Sequence, residues 1–365
     1  MEHDPRFCMR LLRMNPEDKT DGGILVIGPS WVGDMVMAQS LFITLERLNP
    51  LTPIDVLAPG WSLPLLQRMP QVSLAMEMPV GHGTLALGKR RALGHALRLR
   101  RYRRAIVLPN SFKSALIPWF ADIPLRTGWR GEMRYGLLND PRRLDKRKYP
   151  LLVQRFNALA YPRGEDPPPD PPAPRLQSNP RKTHALLKKF SLAPPGAQGR
   201  ILVLCPGAEF GPAKRWPEHH YAAVARAMIR EDWRVWLMGS ERDRGIAEDI
   251  VGRLTGEEQA RCKVLAGNTT LEQAIDLLAL ADAVISNDSG LMHVAAALRR
   301  PLIVVYGSTS PEFTPPLHGE AVIVSHPTDC GPCFRRECSR RDPECLEAIS
   351  PERVLEALRS VTGES

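Results

Sequence analysis

Aromatic residues make up only 6% of the 365 residues, and no long apolar run is present. No stretch approaches the roughly 18 consecutive apolar residues of a transmembrane helix. The first residues carry Glu2, Asp4, Glu17, Asp18 and Asp21 without an apolar core, unlike a secretion signal. A flexible leader over residues 1–23 and a cytoplasmic chain with mostly reduced thiols are therefore expected. No Gly-x-Gly-x-x-Gly follows the first apolar run, and the lysine of a P-loop is missing. Both absences count against a dinucleotide oxidoreductase and a P-loop enzyme. Few aromatics also means little to stack single-stranded nucleic acid. No His-rich helix motif and no Asp-x-Asp pair points to a catalytic metal.

What is present is ordinary for a soluble globular protein: 43% hydrophobic and 24% charged residues. At roughly 150 residues per domain the length predicts two domains. Lys plus Arg number 49 against 40 Asp plus Glu, a net charge of +9. That excess favours an anionic partner, whether nucleic acid, a phosphorylated metabolite or an acidic membrane; a solvated basic surface gives the same total.

The apolar pattern alternates strand-like and helix-like segments. Ile24 to Gly28, Pro53 to Ala58 and Ala105 to Leu108 read as strands, with helices over Gly33 to Leu48 and Lys113 to Phe120. The second half repeats the rhythm, with strands at Ile201–Leu204, Arg234–Met238, Ala283–Ser286 and Leu302–Tyr306. Helices are expected at Pro217–Arg230, Arg242–Leu254, Leu271–Leu280 and Ser289–Leu298. This alternation predicts α/β architecture with parallel sheets. Between the halves, residues 162–180 hold eight prolines, which exclude a helix interior or central strand and read as an extended linker. The expected plan is a domain over 24–161, the linker, and a second domain over 181–365 that ends in a Cys-rich segment, 330–345. Ligands of such sheets bind beyond the carboxyl ends of the strands.

Six segments carry candidate chemistry. In Gly28-Pro-Ser-Trp-Val-Gly33-Asp34, Asp34 is either a general base beside an acceptor hydroxyl or a carboxylate favoured by the first turn of a helix. Pro206 to Pro217 is a Gly/Pro-rich loop whose Lys214 offers a point charge to phosphate. Ser286-Asn-Asp288-Ser289-Gly290-Leu291-Met-His293 joins a strand to a helix. Its amides suit a diphosphate, whereas Asp288 as a cap and His293 as a packed residue are the plain alternatives. Met238-Gly-Ser-Glu241 and Thr269-Thr270 stand at further strand ends, where a carboxylate or hydroxyl meets ribose or simply water. Lys89 to Arg104 has eight basic residues in sixteen and no acidic one, either a basic helix face for phosphates or a solvated surface. Cys330, Cys333, Cys338 and Cys345, spaced C-x2-C-x4-C-x6-C, are either zinc ligands or reduced thiols; the gaps depart from the usual paired ribbon.

Taken together, Ile27–Asp34, Pro109–Ser114, Pro206–Pro217 and Ser286–His293 resemble the ADP-heptose:lipopolysaccharide heptosyltransferases, glycosyltransferase family 9. The resemblance runs from Ile24 to the C-terminus. The Pro206–Pro217 segment and the cysteine tail are most similar to heptosyltransferase II. It implies a GT-B fold, two Rossmann-like domains with parallel sheets facing a central cleft. It also implies an inverting reaction with no cofactor and no catalytic metal. ADP-L-glycero-β-D-manno-heptose would be the donor and heptosyl-Kdo–lipid A, at the inner leaflet of the inner membrane, the acceptor. By this resemblance Asp34 is the catalytic base. Lys214, Met238, Glu241, Thr269, Asp288, Ser289, Gly290, Leu291 and His293 bind donor, and Gly33 and Lys113 lie on the acceptor side. The leader has no counterpart in the family pattern. Heptosyltransferase I or III, with another acceptor, and a nucleotide-sugar sensor without turnover are the competing readings. No nucleic-acid partner is expected.

Overall fold

A computed structural model describes residues 22–81, 83–340 and 343–363. Most of the expected leader, residues 1–21, lies outside the described residues, and so does Cys8. The chain divides into two units, residues 1–174 and 175–365.

In the first unit, β1 (Ile24–Ile27), β2 (Ile54–Ala58), β3 (Val72–Glu77), β4 (Arg104–Val107), β5 (Leu125–Trp129) and β6 (Asp140–Arg142) form one sheet. Its order is β3-β2-β1-β4-β5-β6, and every pair is parallel. In the second, β7 (Ile201–Cys205), β8 (Arg234–Leu237), β9 (Cys262–Val264), β10 (Ala283–Asn287), β11 (Leu302–Tyr306) and β12 (Val322–Ser325) are ordered β12-β11-β10-β7-β8-β9, again all parallel. Counted from the first strand of each unit, both sheets follow the doubly wound Rossmann order.

The composition explains the centre of each sheet. A parallel strand covered on both faces tolerates only apolar side chains. The central strands β1 and β7 read Ile-Leu-Val-Ile and Ile-Leu-Val-Leu-Cys, and every residue in them is buried. Parallel neighbours need a crossover, which helices supply. The Val32–Leu48 helix buries Met35, Leu41, Phe42 and Leu45 while Glu46 and Arg47 stay outside. Each such apolar side chain contributes about 1.5–3 kcal/mol on burial. Thr44 Oγ1 donates to Asn157 Oδ1 at 2.5 Å, fixing this helix to the Leu152–Asn157 helix.

The strand order reverses between β1 and β4 and between β7 and β10. There the connections leave in opposite directions, and a crevice opens beyond the strand ends. The loops at those two points are residues 28–31 and 108–111 in the first unit, and 206–217 and 288–289 in the second. Each overlaps one of the four segments that carry the family resemblance.

Several elements differ from the sequence reading. The outer strands β3, β5, β6, β9 and β12 are additional to the expected ones. The expected helix from Arg242 starts as a tight turn at Glu241–Asp243 and continues as Arg244–Gly252. Residues 175–180 are tied into the second unit: Leu176 N–H donates to Ala297 O, Asn179 N–H donates to Asp276 Oδ1, and Asn179 caps the Pro180–Phe190 helix.

Candidate functional site

In the second unit the loop after β7 and the turn after β10 are drawn together by polar contacts. Lys214 Nζ lies 2.5 Å from Asp288 Oδ2 and also reaches Asp288 O at 3.4 Å. Thr309 Oγ1 donates to the same carboxylate oxygen at 2.6 Å. The pair is nearly dry, with the Lys214 and Asp288 side chains 14% and 5% exposed. Ser289 caps the Gly290–Ala297 helix, its Oγ accepting from Met292 N–H at 3.5 Å. The first amides of a helix have no partner within it, so the N–H groups at Gly290 and Leu291 form an anion-seeking end beside the Lys214 ammonium. His293, one turn on, is buried. Desolvation pushes its pKa down to about 4; Asp288 opposes the shift and Lys214 adds to it. It is therefore a neutral imidazole near pH 7.

Glu241 stands apart from this pair, on the turn after β8. Its carboxylate is exposed and forked by Arg244, at 3.0 and 2.9 Å, which holds its pKa below the usual range. Arg244 also reaches Asn268 Oδ1 at 3.3 Å. Met238 is fully buried and its N–H bonds to Leu204 O, so its side chain belongs to the core. Thr269 Oγ1 donates to Leu265 O at 3.5 Å. Its neighbour Thr270 is a helix cap for Leu271–Leu278, through Gln273.

In the first unit, a cavity of about 1160 Å³ opens beyond the ends of β1, β2, β3 and β4. Trp31, Trp61, Arg90, Lys113 and Glu132 are among its walls. Gly33 and Asp34 lie in the first turn of the Val32–Leu48 helix, just beyond the lining residue Trp31, and are not themselves among the residues that line the cavity. Lys113 belongs to the Phe112–Phe120 helix, whose Phe112 N–H is capped by Glu132 Oε2 at 2.7 Å.

Residues 90–342 match glycosyltransferase family 9 (heptosyltransferase). The chain is 52% identical to lipopolysaccharide heptosyltransferase 2 of Salmonella typhimurium over 346 residues, covering 93% of this chain and 99% of that one. It is 51% identical to the Escherichia coli K12 protein of the same name over 343 residues, covering 93% and 98%. The solved structure of E. coli ADP-heptose LPS heptosyltransferase II superposes with a TM-score of 0.85 at 49% identity, covering 94% of this chain and 99% of that one. The chain belongs to glycosyltransferase family 9. It is a glycosyltransferase, and its two Rossmann-like units are those of the GT-B fold.

Sequence reasoning missed several residues that shape this family 9 site. Asn287, fully buried, is its main tie: Oδ1 accepts from Trp216 N–H and Tyr221 OH, both at 3.0 Å, and Nδ2 donates to Pro206 O at 2.6 Å. One amide thus holds both ends of the Lys214 loop. Its signal was a polar residue closing an apolar strand, since a buried amide must be fully bonded. Asp243 accepts from Ser240 N–H and Oγ and packs under Gly207, where a Cβ would fall 2.2 Å from the Asp243 carboxyl carbon. Only glycine fits that approach. In the first unit, buried Arg134 donates to Pro109 O and Asn110 Oδ1 and braces the loop before Lys113.

The basic stretch of this glycosyltransferase is not one helix face. Helix spans Leu87–Leu97, and the chain then turns into β4. Arg90 and Arg100 point inward: Arg90 bonds Leu85 O and Thr84 O, while Arg100 lies 3.8 Å from buried Asp55, which also accepts from Tyr102 OH. Arg104 is half-buried on Leu159 O and Ala160 O, and Arg98 pairs with Asp122. Lys89, Arg91 and Arg101 remain exposed. Charges alternate inward and outward there because the segment is partly a strap over the core.

Of the tail cysteines, Cys330 is exposed and Cys333, Cys338 and Cys345 are half-buried. Burial and then the charges of the other three push the Cys345 thiol up. Among the described residues, the side chains that bring three metal-type ligand atoms within 4.8 Å of one another are His219, His220 and Glu347.

Proposed function

We propose that this chain transfers heptose from ADP-heptose to the heptose of heptosyl-Kdo–lipid A, the reaction of heptosyltransferase II. The observation that carries the donor assignment is the Lys214–Asp288 pair beside the open amides of the Gly290–Ala297 helix. An ammonium, two or three backbone donors and a low-polarity surround are what a departing diphosphate needs. The roughly 50% identity to heptosyltransferase 2 proteins over nearly their whole length supports the acceptor assignment.

In this reading the first unit holds the acceptor and the second the donor. Asp34 removes the proton from an acceptor hydroxyl, whose oxygen attacks the anomeric carbon opposite the leaving ADP. Configuration inverts. As the bond to ADP breaks, negative charge grows on the diphosphate and is met by Lys214 and the amides at Ser289, Gly290 and Leu291. Asp288 and Thr309 keep the lysine at its post. Glu241, steered by Arg244, and Thr269 face the ribose; Met238 contributes backbone there. His293 stays neutral behind the phosphate site, and Lys113 and Gly33 line the acceptor's approach. No cofactor enters the scheme.

Among the described residues no helix is long and apolar enough to cross a membrane. The acceptor is a lipid, so contact with the inner leaflet is peripheral in this reading. Exposed Lys89, Arg91 and Arg101, with Leu85, Leu87 and Leu99 nearby in sequence, are the proposed contact.

The test mixes purified protein with ADP-heptose and either heptosyl-Kdo–lipid A or Kdo–lipid A, following ADP release and acceptor mass. One heptose added only to the first acceptor is expected. Addition only to the second keeps the family and replaces the acceptor by that of heptosyltransferase I. Donor binding with no transfer to either overturns the transferase scheme in favour of a sensor.

A further inference from the structure

The Pro217–Arg230 region begins with two adjacent histidines that the transfer scheme does not use. His219 Nε2 lies 3.2 Å, and His220 Nε2 3.6 Å, from the same atom, Glu347 Oε1. The three ligand atoms all fall within 4.8 Å of one another. The two rings lie 4.2 Å apart between centroids, and the Trp216 indole stacks on His220 at 5.2 Å. Glu347 comes from the short Glu344–Glu347 helix near the C-terminus, which the fold brings against the start of the Glu218–Arg230 helix.

His220 makes this more than a surface ion pair. It is 8% exposed, and Nε2 has only the 3.6 Å contact with Glu347 Oε1 while Nδ1 has no hydrogen-bond partner. A buried polar group left unbonded is costly and calls for an explanation. An imidazole nitrogen facing a second imidazole and a carboxylate is placed as a metal donor.

We infer that His219, His220 and Glu347 form a site for a first-row divalent transition cation, zinc by preference. Two imidazoles and a carboxylate are a common zinc ligand set, with water completing a tetrahedron. Bonds of about 2.0–2.2 Å at tetrahedral angles separate ligand atoms by roughly 3.3–3.6 Å. The separations of 3.2 and 3.6 Å from Glu347 Oε1 lie close to that spacing. His219 and Glu347 are about half exposed, at 52% and 46%, which leaves the remaining position open to water.

The ion acts as a staple. It joins the C-terminal segment to the helix that follows the Lys214 loop, beside the clasp made by Trp216 Nε1 on Ile349 O at 2.9 Å. It takes no part in the transfer chemistry, so this site and the proposed function stand or fall separately.

Full-length protein, freed of any affinity tag and stripped with chelator, would be titrated with zinc and followed by calorimetry and thermal unfolding. One zinc per chain bound at micromolar concentration, with a rise in Tm, is expected. His219→Gln and Glu347→Gln, both at half-exposed positions, are each expected to abolish that binding and the Tm rise without lowering the metal-free Tm. The tail thiols are the rival ligands, so cobalt(II) serves as a second probe. Nitrogen and oxygen ligands give weak visible bands, and thiolates give an intense near-ultraviolet charge-transfer band. Undiminished binding in Glu347→Gln, a thiolate spectrum, or no binding at micromolar zinc would each overturn the site.

Discussion

Lys214 Nζ and Asp288 Oδ2 lie 2.5 Å apart although one residue follows β7 and the other follows β10. The pairing pins the loop's ammonium beside the helix end at Gly290, and Thr309 holds the carboxylate from a third strand end. Both charges are largely out of water, so neither is easily removed alone. In the proposed scheme, a diphosphate arriving there meets a cation already held in position.

Lys214→Met is expected to lower turnover by about 100- to 1000-fold, by analogy with the loss of one charge-stabilising donor. It also strands Asp288, at a cost of about 3–5 kcal/mol for a broken buried pair. Adding Asp288→Asn should restore much of the stability and none of the turnover. Denaturant unfolding of the two variants beside ADP-release rates separates the effects. Equal stability of the single and double variants would remove the pair from the structural account.

Asp34→Asn keeps the shape of the first helical turn and removes the carboxylate that the proposed scheme uses as its base. A loss of about 100- to 10,000-fold in kcat is expected, with donor binding and Tm near wild type. Turnover at the wild-type rate would assign deprotonation to another group.

Asn287→Ala should leave the Trp216 N–H, the Tyr221 hydroxyl and the Pro206 carbonyl without their partner. Each stranded buried group costs about 1–3 kcal/mol, so this single change is expected to be among the most destabilising in the second unit. Because the Lys214 loop loses both its ties, donor KM should also rise. Calorimetric unfolding and donor saturation curves measure the two.

Acid should weaken the second unit through His293. Its folded pKa is about 4 against an ordinary 6.5. Between those values only the unfolded chain takes up the proton, so stability falls as pH drops from about 6.5 towards 4. The loss amounts to about 3 kcal/mol once pH is below both values. His293→Leu should flatten this part of the stability–pH curve. An unchanged slope in that variant would place the acid sensitivity elsewhere.

Reversing the exposed charges in Lys89→Glu/Arg91→Glu should weaken binding to vesicles containing anionic lipid, by about 1 kcal/mol per removed cation. Turnover on a detergent-dispersed acceptor should be unaffected. Unchanged vesicle binding, measured by flotation, would reduce the stretch to a solvated edge.

The parts of this fold that were legible in the sequence are those where burial admits one kind of residue. β1, β7 and β11 are unbroken apolar runs because each is covered on both faces, and β10 begins as one before closing on Ser286 and Asn287. The loops that follow β1, β7 and β10 stood out for the same reason, as glycine, proline and polar residues breaking such runs. The outer strands did not: β3 is half-exposed, β6 contains Pro141, and β9 is three residues long. An edge strand takes its conformation from a neighbour, and its own residues carry little period. Asn287 and Asp243 looked like ordinary loop polars until their partners, distant in sequence, were in place.

By itself the sequence determined the α/β alternation, the two-unit organisation and the four loops that carry the family resemblance, because local periodicity and turn chemistry act over a few residues. Only the tertiary structure decided which charges meet. Lys214 finds Asp288 across 74 positions of chain, and His220 meets Glu347, because parallel crossovers bring remote strand ends and helix ends together. The same packing turned Arg90 and Arg100 inward while leaving Lys89 and Arg91 in water. A charge's role depends on its partners and its burial, and neither is written in the residue's own neighbourhood.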